Sequence, residues 1–232
     1  MNQGPRSGSP DGRSAEHVEP IRGWCEREVE AELPGLSLVH APAVLAHSGR
    51  ASPPALRRRL NALSDRWAGP DAINLRQRPV PAAYRVFFRH IGLDPDVVPT
   101  PIEEAMLARM LQGGFVSSNV LADALLVALV DTGVPVWALD AGSVDGPLGI
   151  RATSAGEPFG RSSSAPALPG GRLVIADSQA ALAVLFGEIA PGHAARPVAG
   201  DLIIFSLQVP GVPGLHVEEA LWMAGSMLSG PW

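Results

Sequence analysis

Four kinds of side chain in this sequence could do chemistry: isolated carboxylates, a run of arginines, scattered histidines and one thiol. Asp123 stands alone among the apolar residues 121–130. A buried carboxylate without a partner is costly. It therefore needs a cap or an ion pair, for instance with Arg151, unless it forms the floor of a pocket. Glu157 follows Gly156 at the end of a strand-like run. It is either a solvated turn carboxylate or a group that recognises a substrate amine or hydroxyl. Asp140 and Asp177 end apolar runs, where Asp often closes pairing through an Asx turn. Arg151 lies in an alternating stretch and faces solvent, an acid or a ligand. Trp137 reads as core or pocket wall. Gly187 either lets a ligand approach the backbone or marks tight packing.

The arginines cluster. Residues 50–89 hold nine Arg against Asp65 and Asp71, a local charge of +7. Such a run either attracts nucleic-acid phosphates, which the guanidinium fork fits well, or is a solvated helix face. The phosphate candidates are Arg57, Arg58, Arg59, Arg66, Arg76, Arg78, Arg85 and Arg89. Phe87 and Phe88, close by, read as core rather than base-stacking platforms. All 18 basic residues are Arg. Without lysine there is no Schiff-base nucleophile and no Walker-type phosphate lysine. His40 and His47 are too loosely spaced for a metal pair, and no HExxH or GxSxG motif occurs. Cys25, beside Trp24, reads as a small apolar filler. No metal and no cofactor are expected.

The elements that must position these groups show in the hydrophobic pattern. Ser52-Pro53 reads as a capped helix start, and Leu56, Leu60, Leu63 and Trp67 form one stripe that Gly69-Pro70 ends. Residues 84–90 form a second helix. Thr100-Pro101-Ile102-Glu103 is a capping box, and residues 120–131 are a central buried helix ending at Gly133. Short apolar runs at 134–139, 148–152, 173–176, 182–186 and 202–207 read as strands, and 216–228 returns to a helix. Helices first and strands later predict an α+β fold, with helices packed on an antiparallel or mixed β-sheet. Residues 1–20 read as a disordered tail and 21–232 as one domain. Residues 160–171 read as a surface loop. No secretory signal and no membrane span is legible, which points to the cytoplasm. The net charge of −5 averages unlike halves: +1 over residues 1–110 and −6 over 111–232.

The order of several short motifs carries a resemblance. Asn119, Asp123, Gly133-Val134-Pro135, Asp140, Gly146, Arg151-Ala152, Gly156-Glu157 and Leu173-Val174-Ile175-Ala176-Asp177 occur in sequence. Upstream stand Leu33-Pro34-Gly35-Leu36, Tyr84-Arg85 and Gly92-Leu93-Asp94-Pro95, followed by residues 103–109. Together these resemble the tRNA-editing (B-three/B-four) domain of the beta subunit of phenylalanyl-tRNA synthetase, over about residues 33–207.

The resemblance implies a compact α+β domain that binds tRNA carrying the wrong amino acid. In the synthetase that domain removes tyrosine from the phenylalanine tRNA by ester hydrolysis. There is no room here for an aminoacylation domain, so a free-standing copy is expected, with a tRNA or an aminoacylated RNA end as partner. On the same basis Glu157, Asp123 and Asp177 would position water and the aminoacyl group. Asn119, Trp137, Asp140, Arg151, Gly187 and Glu188 would shape the substrate pocket. The departures bear on activity. The family His two residues after the proline is Trp137 here, the family Asn three residues after the helical Asp is Leu126, and the Met-Gly-Gly turn is Phe186-Gly187-Glu188. Ester hydrolysis needs a positioned water, a proton relay and oxyanion donors. The chain therefore reads as a tRNA- or RNA-binding domain of the editing type, a degenerate or re-purposed aminoacyl-tRNA deacylase. The alternatives are a protein binding a small amino-acid-like ligand, and a structural or partner-binding protein without editing activity.

Overall fold

The computed structural model describes residues 19–49, 51–67, 69–162 and 164–230. The expected tail lies almost wholly outside these residues, as do Arg50 and Ser163. In chain order the elements are β1 (Ile21–Arg22), β2 (Trp24–Cys25), α1 (Arg27–Glu32), β3 (Ser37–Leu45), α2 (Pro54–Arg66), α3 (Pro70–Asn74), α4 (Pro79–His90), α5 (Pro101–Gln112) and α6 (Val120–Thr132). There follow β4 (Val136–Asp140), β5 (Gly149–Ala152), β6 (Glu157–Pro158), β7 (Ala167–Leu168), β8 (Leu173–Ala176), β9 (Ala181–Val184), β10 (Gly200–Gln208) and α7 (Gly214–Ser229).

Local rules explain most boundaries. Four helices begin on proline (Pro54, Pro70, Pro79 and Pro101), where the missing N–H costs nothing and φ is already helical. The capping box forms: Glu103 accepts from the Thr100 N–H at 3.1 Å and from its hydroxyl at 2.7 Å. Asn119 caps α6 by accepting from the Ala122 N–H at 3.0 Å, and Gly133 closes that helix at φ 78°. A side chain at Gly133 would also press on Val80 and Pro81.

The strands form two larger sheets. One runs β1-β3-β10-β4 and is antiparallel, with β3 and β10 paired along nine residues from Leu45↔Gly200 to Ser37↔Gln208. The other runs β2-β5-β8-β9, parallel between β2 and β5 and antiparallel elsewhere. Helices α6 and α7 pack together; α7 also lies on β3 and β10, and α2 backs α6. The main buried apolar cluster extends in sequence from Val29 to Leu228. The expected α+β class, with helices on antiparallel and mixed sheets, is the observed one.

Several expectations are corrected. Strands do not simply follow helices: β1, β2 and the long β3 precede α2. β3 gives no strand signal in the sequence because Pro42 interrupts its apolar run. Pro42 is tolerated because β1 pairs only as far as His40, leaving that flank of β3 an edge at Pro42. Ser52 is not the cap of α2; the N-cap is Pro53, with no side-chain cap bond, and the Ser52 hydroxyl goes elsewhere. The helix expected at 84–90 starts at Pro79, and Gly69-Pro70 opens α3 instead of ending α2 directly. The strand expected at 182–186 stops at Val184, because Phe186 takes φ 56°.

Candidate functional site

The three carboxylates singled out from the sequence have separate partners. Asp123, in the first turn of α6, is buried. It accepts from the Ser52 hydroxyl at 2.6 Å, the Ser117 hydroxyl at 2.5 Å and the Ser118 N–H at 3.0 Å. It thus ties the approach to α2, the turn before α6 and α6 itself into one knot. Arg151 is not its partner.

Arg151 instead grips Glu157 with both guanidinium nitrogens, one at 2.8 Å, while the Ser154 N–H donates to Glu157 at 3.1 Å. The bond from Arg151 is the main cause holding the Glu157 carboxyl below its ordinary range, and burial opposes it only in part. A carboxylate so held is a weak base, and most of its acceptor positions are engaged.

The Asp177 side chain is fully buried. It accepts from the N–H groups of Asp145 at 2.7 Å, Gln179 at 2.8 Å and Ala180 at 2.9 Å, and it pairs with Arg161. Burial alone would push this carboxyl up; the three backbone donors and the Arg161 charge outweigh it, and the net shift is downward. The Gln179 and Ala180 bonds make the turn read from Asp177's position at a strand end, whereas Arg161, within the expected loop, carried no signal. Asp140 makes the same kind of turn bond, accepting from the Gly142 N–H at 3.0 Å.

The other candidates surround an aromatic stack. Trp137 on β4 lies opposite Phe205 on β10, and their rings stack 5.6 Å apart at 17°. Phe186 closes the stack at 5.9 Å from Trp137 and touches Tyr84, Phe87 and Phe88 at 5.9, 5.9 and 5.0 Å. Where the sequence resemblance places a His, aromatic rings fill the space between β4, β10 and α4. Gly187 follows at the turn, where a Cβ would meet Val184 at 3.0 Å, and the Glu188 carbonyl accepts from the Val184 N–H at 2.9 Å. Trp137 also borders a shallow groove of about 270 Å³ between α5 and the start of β4. Arg161 borders an open hollow of about 720 Å³ with Asp145 and Pro158. Asp123, Glu157 and Asp177 line neither. Among the described residues, no group of three or more His, Cys, Asp or Glu is arranged to hold a metal.

Folding divides the arginines. Arg59 and Arg66 share Asp131 at 2.9 and 2.5 Å. Arg85, its side chain only 12% exposed, is held between Asp96 at 2.5 Å and Glu103, and Arg89 reaches Asp96 at 3.6 Å. Arg66 and Arg78 flank the Trp67 ring at 5.6 and 4.4 Å. Arg57, Arg58, Arg76 and Arg78 are exposed and make no ion pair among the described residues, although Arg76 is near enough to help hold the Asp96 carboxyl below its ordinary range, mainly the work of Arg85. Counting Asp96, Glu103 and Asp131 with the stretch lowers its charge from +7 to +4.

Residues 83–192 match the B3/4 domain, the domain found in the beta subunit of phenylalanyl-tRNA synthetase. The matched segment takes in most of α4 and everything from α5 to β9. It contributes β4 to the β1-β3-β10-β4 sheet, while β3, β10 and α7 lie outside it. No curated protein matches the chain. No helix among the described residues is long and apolar enough to cross a membrane.

Proposed function

We propose that this chain, with its B3/4 domain over residues 83–192, binds RNA of the tRNA class and leaves aminoacyl esters intact. The observation that carries the second half is the stack of Phe186, Trp137 and Phe205. It fills the place where a polar relay would stand, and none of the three carboxylates expected to serve there borders the groove beside Trp137. Glu157 is neutralised by Arg151 and Asp177 by Arg161, while Asp123 is used by two serines and a backbone N–H. Positioning water requires free lone pairs; Asp177 accepts four hydrogen bonds and has none, and Asp123 and Glu157 accept three each and keep at most one.

The binding half is supported by the kinship of the domain and by the exposed guanidiniums of Arg57, Arg58, Arg76 and Arg78. In the same reading the chain works in the cytoplasm, where tRNA is. Hydrolysis of tyrosine from the phenylalanine tRNA, measured for wild type and Glu157→Ala, tests the proposal. Equal, background-level rates are expected. A wild-type rate above background that Glu157→Ala abolishes would restore the hydrolase reading.

A further inference from the structure

A cavity of about 460 Å³ opens where α1, the end of α4 and the edge of the β5-β8-β9 sheet meet. Its size is that of a small-molecule site. Val29, Leu33, Ile91, Leu173 and Leu185 give it an apolar floor, and all five belong to the main core or pack against it. The floor is therefore fixed by the fold and does not depend on an occupant.

The polar rim carries charges of both signs. Glu157 and Asp177 are each paired with an arginine. Here Glu28 and Glu32, one helical turn apart on α1, make no ion pair or side-chain hydrogen bond among the described residues. Like charges at that spacing repel, and a shared cation relieves the repulsion. Arg172 also borders the cavity and has no acid partner among the described residues. Its backbone is anchored, since its N–H donates to the Thr153 hydroxyl at 3.0 Å and its carbonyl accepts from the Thr153 N–H at 2.9 Å. One opening thus carries two free carboxylates, one free guanidinium, the His90 imidazole and an apolar floor.

We propose that this cavity binds a small zwitterion with an apolar body. Its ammonium group meets Glu28 and Glu32, its carboxylate meets Arg172, and its hydrocarbon rests on Val29, Leu173 and Leu185. A free amino acid and a short peptide share this chemistry. The site is built from both sides of residue 83, so it is not a property of the B3/4 segment alone. It is also separate from the Arg57 face, and its failure would leave RNA binding untouched.

Calorimetric titration of the full chain with L-leucine and with L-leucyl-L-leucine tests the site and distinguishes the two sources. Saturable one-to-one binding of either zwitterion is expected. Leucinamide, which lacks the carboxylate, and N-acetyl-leucine, which lacks the ammonium, should each bind about tenfold more weakly or worse. Arg172→Ala should bind leucine and leucinamide equally, and Glu28→Gln with Glu32→Gln should remove the preference over N-acetyl-leucine. These positions are exposed, so the fold should be unaffected, and the ligand series needs no variant at all. Absence of saturable binding for both zwitterions, equal affinity for the blocked analogues, or an unchanged preference in Arg172→Ala would each overturn the proposal.

Discussion

Replacing Arg57 and Arg58 together by alanine separates a phosphate-binding face from a solvated one. Of the candidate arginines, Arg59 and Arg66 are committed to Asp131, Arg85 lies between Asp96 and Glu103, and Arg89 reaches Asp96. Arg57, Arg58, Arg76 and Arg78 remain. Four phosphate contacts give a slope of log affinity against log salt of about −3, so binding should weaken about 50- to 150-fold between about 50 and 200 mM salt. The double variant leaves two contacts, a slope of about −1.5 and a loss of about tenfold over the same range. If all eight candidates met phosphate, the slope would be about −6 to −7. Fluorescence anisotropy with labelled, uncharged tRNA at four salt concentrations reads these slopes directly. A slope that the double variant leaves unchanged would refute the assignment of Arg57 and Arg58. No binding even at about 50 mM salt would refute the whole face.

Three further outcomes test the reading of the individual residues. Asp123→Ala removes the acceptor of two hydroxyls and an N–H, and denaturant unfolding should show a loss of about 3–5 kcal/mol, with Asp123→Asn milder; a loss below about 1 kcal/mol would contradict the knot described at α6. Glu157 and Asp177 both titrate below the ordinary carboxylate range, so the unfolded chain binds more protons in acid. Their contribution is complete above the unfolded values near about pH 4 and is lost as pH falls through the lower folded values; Glu157→Gln with Asp177→Asn should flatten that acid limb, and an unchanged limb would count against the pairings. At Phe186 the left-handed backbone costs a non-glycine residue about 1–2 kcal/mol, so Phe186→Gly should be more stable than Phe186→Ala although it removes one more methyl; the reverse order would mean that the turn is not held at φ 56°.

Features set by neighbours in sequence were legible, and those set across space were not. The capping box at Thr100, the end of α6 at Gly133 and strand 173–176 each rest on a few adjacent residues, and each formed as read. β3 was hidden by Pro42, which only the shortness of β1 makes acceptable. The partners of the charged groups were the least legible. Asp131, Asp96 and Glu103 lie outside the window in which the +7 was counted, and Arg161 reaches Asp177 from a loop without hydrophobic pattern. That Trp137 stands where the resemblance places a His was visible. That Phe205 lies opposite it and Phe186 covers it follows from strand register and a turn, which no local motif encodes.

The most direct test uses tyrosine-charged phenylalanine tRNA, radiolabelled on the amino acid, run with this protein on a native gel. The label should shift into the complex and persist there as long as it does on free tRNA. Label that shifts and is then lost faster in proportion to protein concentration would mean that the ester is cleaved. Label that never shifts would mean that the RNA is not bound, and either result contradicts the central claim.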